Sequence, residues 1–85
     1  MGKVYNNLQP PVIAENELTV DVMVNGERRH FPHGTTLLTI VAALGLEPER
    51  LAIEFNRAIL KRPLWASTTP ETGAQIEIVQ FVGGG

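Results

Sequence analysis

The sequence predicts a small α+β domain, a mixed sheet of four or five strands with one main helix packed across one face. Three observations carry that prediction. Apolar residues alternate strictly from 18 to 24, the period of a strand with one buried face. Leu37, Ile40, Val41 and Leu44 recur at the i, i+3, i+4, i+7 spacing of one amphipathic helix. Residues 76–82, IEIVQFV, form a β-branched and aromatic run that reads as a buried strand. With 85 residues, 44% of them hydrophobic and 19% charged, the chain has material for one packed core.

Taken in order, residues 1–17 hold Asn6-Asn7 and Pro10-Pro11 and end in Glu15-Asn16-Glu17. Without sustained periodicity, they read as a flexible N-terminal extension ahead of a domain over 18–82. Leu18, Val20, Val22 and Val24 then face one side of a strand, with Thr19, Asp21 and Met23 on the other. Asn25-Gly26 closes a hairpin, because this pair accepts positive φ at both central positions of a type I′ turn. Residues 27–31 make the return strand. A two-residue turn sets Val20 opposite Phe31 but also Val22 opposite Arg29, bringing an arginine onto the apolar face. Either Arg29 lies at a sheet edge and snorkels, or the loop is longer than two residues.

Pro32 and Gly34 end that strand, and Thr35 or Thr36 caps the helix. At the far end Gly45 supplies the left-handed position, Leu46 folds back on the last turn and Pro48 prevents continuation. Residues 51–55 alternate again, and 58–60 follow after Asn56-Arg57, giving two short strands joined by a tight turn. Residues 63–66 read as a single helical turn, and 68–73 as turn chemistry leading into the final strand. The order is therefore β-β-α-β-β-β. With a hairpin at each end, the one helix buries its apolar stripe only by lying across a face of the sheet. The first and last strands then run parallel as neighbours, which is the β-grasp, the ubiquitin-like architecture.

Composition removes several functions. The chain has no cysteine, so it has no disulfide, thiolate nucleophile or cysteine-ligated metal. A net charge of −2, with Glu27-Arg28-Arg29-His30 as a short basic cluster, argues against nucleic acid as a partner. No apolar run approaches the roughly 20 residues that span a bilayer, and the first twenty residues lack a signal core. No membrane association and a cytoplasmic location are the resulting expectations. Met1-Gly2 does not continue into a myristoylation motif, since Asn6 stands where Ser or Thr is needed.

The last strand passes directly into Gly83-Gly84-Gly85. Three residues without a Cβ form a slim, flexible tail that fits a narrow cleft and reaches about 10 Å beyond the sheet. At its tip stands an α-carboxylate, ionised at neutral pH and the candidate for the chemistry.

At this point the sequence resembles a family, the ThiS sulfur carriers of thiamin biosynthesis. The likeness covers roughly residues 18–85. It rests on Val24-Asn25-Gly26-Glu27, Pro32-His33-Gly34-Thr35-Thr36-Leu37, Ala43-Leu44-Gly45-Leu46, Phe55-Asn56, Arg62-Pro63-Leu64-Trp65 and the ending from Ile76 to Gly85. The resemblance implies a carrier acted on by other enzymes, not an enzyme itself. It implies that Gly85, preceded by Gly84, is adenylated with ATP by a ThiF-type enzyme and converted to a thiocarboxylate. The sulfur then goes to a ThiG-type thiazole synthase for the thiazole ring of thiamin. It also implies no bound cofactor, because ATP is used at the partner. Two features depart from the family pattern. Thr72-Gly73-Ala74 replaces the usual acidic turn, and the N-terminal extension is long.

Other functions share this ending. A carrier for molybdopterin synthesis uses the same thiocarboxylate chemistry, a ubiquitin-like modifier joins its last glycine to lysines, and a plain β-grasp interaction module needs no tail. Strict alternation sends Glu77, Val79 and Phe81 to the face opposite the helix. There Val79 and Phe81, with Val82 and Gly83 beyond, form a candidate partner-binding patch, unless a bulge turns them inward. His30 and His33 lack a third strong ligand and read as turn residues, leaving no metal site. Trp65 reads as a core or rim anchor. Lys61 and Arg62 read as a solvated face.

Overall fold

The computed structural model describes residues 18–82, so the extension expected over 1–17 and the glycine tail over 83–85 lie outside the described residues. Five strands and one helix follow in the expected order, β1 Thr19–Val24, β2 Glu27–Pro32, α1 Leu37–Ala43, β3 Leu51–Phe55, β4 Ala58–Leu60 and β5 Gln75–Gln80. They form one sheet ordered β2-β1-β5-β3-β4. The last strand is thus the central one, parallel to β1 and antiparallel to β3.

The first hairpin has the two-residue loop. Asn25 and Gly26 both take positive φ, +51° and +83°, and Val24 pairs with Glu27. Arg29 does stand opposite Val22, and the sheet order explains why that is tolerated. β2 is an edge strand, so the Arg29 guanidinium stays in solvent and meets Glu27 Oε1 at 3.2 Å. Leu18, expected to open the alternating set, precedes β1 and is exposed.

Thr36 is the helix cap, its Oγ1 accepting the Thr39 N–H at 3.1 Å, while Thr35 donates backwards to Pro32 O. Leu37, Ile40 and Val41 are fully buried beneath the sheet. The helix closes in a Schellman arrangement, with Leu46 N–H on Val41 O at 3.1 Å and Gly45 N–H on Ala42 O at 3.0 Å. Gly45 carries the positive φ of +75° that this ending requires, and Leu46 packs back on the core.

A 3-10 turn over Pro48–Arg50, not read from the sequence, delivers the chain to β3. Asn56 and Arg57 then make a second two-residue turn, again with positive φ at both positions. The single helical turn expected over 63–66 is a longer 3-10 segment, Arg62–Ser67. It drives Trp65 into the core, where only 2% of the residue stays exposed and the indole N–H donates to Leu60 O at 2.8 Å. Thr72-Gly73 remains a turn: Gly73 has φ +97°, and its N–H donates to Asp21 O at 2.8 Å.

One boundary needs correction. The final strand, expected to run to 82, stops at Gln80; Ile76 and Ile78 are buried, Val79 and Phe81 are exposed as alternation predicts, and Val82, expected within the buried run, is exposed. Its length is set by its neighbour, because Gln80 pairs with Leu51, the first residue of β3. Beyond the strand, the Phe81 N–H donates to Arg50 O at 2.7 Å.

The core lies on one side of the sheet. Val20, Val22, Val24, Leu51, Ile53, Ile76 and Ile78 meet α1 and Trp65 there. The opposite side of the sheet carries none of the buried core residues of β1, β3 and β5. Among the described residues no helix is long and apolar enough to cross a membrane.

Candidate functional site

The site is built around the end of β5. This strand has neighbours on both sides at Ile76, where it pairs with Val24 of β1 and Phe55 of β3. β1 then ends, and the Asn25 side chain takes over: Oδ1 accepts the Ile78 N–H at 2.7 Å, and Nδ2 donates to Ile78 O at 3.1 Å. A carboxamide has the donor and acceptor geometry of a peptide group, so Asn25 occupies β5 as one more strand residue would. Downstream, Val79 and Gln80 pair on the β3 side.

Val79, with 57% of its surface exposed, projects from the open face opposite Ala52. The β5–β3 register runs without a gap from Phe55 and Ile76 to Leu51 and Gln80, so no bulge turns Val79 inward. Phe81 is 54% exposed and Val82 85%. Ile59 of β4, 76% exposed, stands opposite Glu54, which in turn stands opposite Glu77. The open face therefore combines exposed apolar side chains with two carboxylates in direct cross-strand register. Like charges so placed oppose pairing by some tenths of a kcal/mol.

Of the residues singled out from the sequence, Val79, Phe81 and Val82 are thus gathered at one end of the sheet. Gly83, Gly84 and Gly85 lie outside the described residues. His30 contacts Asp21 through Nδ1, and His33 Nε2 is 3.6 Å from Glu71 Oε1, so each histidine faces one carboxylate. No group of three or more metal-ligating side chains gathers among the described residues. Sequence reasoning missed Ile59 and the Glu54–Glu77 pair. Alternation over 51–55 already sent Glu54 to the open face, but the pairing partner comes only from the sheet order. On the helix side of the same end, a shallow groove of about 350 Å³ is lined by Leu44, Leu46, Ile78 and Gln80, with Glu27 and Arg29.

Comparison with known proteins points one way. A model of the ThiS family matches residues 22–85. A thiazole synthase of Magnetococcus marinus is 38% identical over 64 residues, covering 75% of this chain and 20% of that protein. The chain thus spans about a fifth of that relative's length. An uncharacterized protein, ycf40, of Porphyra purpurea is 32% identical over 66 residues, covering 78% of this chain and 93% of its own. Among solved structures, the crystal structure of a thiamine biosynthesis protein (ThiS) from Geobacter metallireducens superposes with a TM-score of 0.62 at 27% identity. That likeness covers 78% of this chain and all of the other.

Proposed function

The chain belongs to the ThiS family, and we propose that it is a sulfur carrier of thiamin biosynthesis whose Gly85 carboxylate is activated and converted to a thiocarboxylate. The observation that carries this reading is the family match itself, which runs through the whole of β5 and on to Gly85.

The chemistry follows from the carboxylate. Its delocalised charge makes it a poor acyl donor, so a carboxylate oxygen first attacks the α-phosphorus of ATP and pyrophosphate leaves. The resulting acyl-adenylate is a mixed anhydride with a good leaving group. Sulfide supplied by a donor then attacks the acyl carbon, the bond to the AMP oxygen breaks, and AMP leaves behind the thiocarboxylate with no change of oxidation state. Positive groups must stabilise the charge on the transferring phosphorus, and these belong to a ThiF-type adenylating enzyme. The chain is in this reading a substrate and carrier, needs no bound cofactor of its own, and works in the cytoplasm. Its acceptor is a ThiG-type thiazole synthase, a partner supported by the likeness to a thiazole synthase.

The open face supplies the docking surface in this reading. Val79, Phe81 and Val82 are exposed beside the point where the tail leaves, and a slim Gly83-Gly84-Gly85 enters a cleft that a side chain would block. The test is pyrophosphate release by the adenylating enzyme with ATP. The full chain is expected to support release, and a chain lacking Gly84 and Gly85 to support none. Equal release from both, or release from neither with an enzyme active on its own carrier, would rule the reading out.

A further inference from the structure

Glu54 and Glu77 stand side by side on the open face, and among the described residues neither has a counter-charge. They are direct cross-strand partners of β3 and β5, both exposed, in a pairing that sets Cβ atoms about 5 Å apart. The ion pairs among the described residues join Arg29 to Glu27, His30 to Asp21, His33 to Glu71 and Arg50 to Glu47, so none reaches them. Arg57 and Lys61 flank β4, and Arg28 lies two strands from Glu77 on β2. All three stay outside those pairs.

The surroundings of the two carboxylates are apolar. Ile59 stands beyond Glu54 in the same cross-strand row, and Ala52 and Val79 make the next row toward the end of β5. Ile59 and Val79 are largely exposed, so a partner that covers them also takes the two carboxylates out of water. Against a purely apolar surface, the loss of hydration of two adjacent like charges outweighs what the contacts around them return. A basic side chain set between them reverses the balance, and its attraction strengthens as water leaves. A guanidinium suits the place, because its planar array of N–H donors reaches two carboxylates at once.

We infer that the open face takes a basic side chain of the adenylating enzyme between Glu54 and Glu77, which makes these glutamates specificity-determining residues of the carrier. The inference rests on the sulfur-carrier reading and on the open face as its docking surface. Apolar surfaces without a matching cation are turned away. In the free domain the pair opposes the β3–β5 pairing slightly, so removing its charge moves stability and docking in opposite directions.

Glu54→Gln, Glu77→Gln and the double variant keep the side-chain shape and remove the charge. Glu71→Gln, in the loop before β5, makes the same change in net charge as either single variant but lies outside the Glu54–Glu77 row. Calorimetric titration of each folded variant with the ThiF-type enzyme gives the affinity, and urea unfolding gives the stability. Each single variant is expected to lower affinity roughly tenfold and the double variant roughly a hundredfold or more, with urea midpoints at or above that of the wild type. Glu71→Gln is expected to stay within about twofold, which separates a local cation from attraction by net charge. An unchanged affinity in the double variant, an equal fall in Glu71→Gln, or a fall that follows a lowered midpoint would overturn the inference and leave the carrier function standing. Self-association of the wild-type chain that the double variant loses would overturn it too, by showing that a second copy meets the pair. A wild-type chain neither bound nor adenylated by an enzyme active on its own carrier would remove the function and this inference together.

Discussion

The Asn25 carboxamide and the Ile78 peptide unit are joined by two hydrogen bonds, 2.7 and 3.1 Å long, across a sequence separation of 53. A hairpin turn residue thereby serves as the end of a parallel ladder. Asn25→Ala is expected to destabilise the domain by about 2–4 kcal/mol, from two lost hydrogen bonds and from alanine's poorer tolerance of the left-handed region than asparagine's. Asn25→Gly escapes the second cost and should lose about 1 kcal/mol less. Urea unfolding measures both, and an alanine variant as stable as the wild type would contradict this description of the turn.

Arg57 shows the opposite imbalance. It holds φ +72° in the second hairpin turn with an exposed side chain, and it takes part in none of the ion pairs among the described residues. Arg57→Gly relieves the left-handed strain and is expected to stabilise by about 0.5–1 kcal/mol after glycine's own entropic cost. The urea midpoint should rise, and a fall would show that the arginine makes a favourable interaction outweighing the strain.

Trp65 is both filler and tether, buried in the core and bonded to Leu60 O at 2.8 Å. Trp65→Phe removes that hydrogen bond and vacates part of the indole volume, for an expected loss of about 1–3 kcal/mol. Thermal or urea unfolding checks it. A loss near zero would show that the indole hydrogen bond contributes nothing net and that the core closes around the smaller ring.

Phe81 tests the docking surface. With half of its surface exposed and no place in the core, Phe81→Ser should change stability by less than about 0.5 kcal/mol. Affinity for the adenylating enzyme should fall roughly tenfold or more if the ring is buried on docking. Calorimetric titration of the folded variant measures this, and an unchanged affinity would remove Phe81 from the interface.

Much of the fold was legible from the sequence because the signals were local. Asn25-Gly26 sits between alternating segments, and Leu37, Ile40 and Val41 share a stripe closed by Gly45. Arg29 left two registers open, and only the placement of β2 at a sheet edge chose between them. The end of β5 was misplaced because residues 81–82 have the composition of a strand, whereas the strand's extent depends on where β3 begins. The Asn25 and Asn56 contacts to β5 were invisible for the same reason, as they join residues brought together by the tertiary fold alone. The exposed side of Val79 was legible from alternation, but the absence of a bulge was not. The chemistry assigned to Gly85 came from the family likeness.

The central claim, that Gly85 carries sulfur as a thiocarboxylate, is tested most directly by the intact mass of the protein. The measurement follows incubation with ATP, a sulfide donor and the cognate adenylating enzyme, with a chain lacking Gly85 as the control. A gain equal to exchanging one oxygen for sulfur, present in the full chain and absent from the control, is the predicted result. An unchanged mass with an enzyme shown to be active would contradict it.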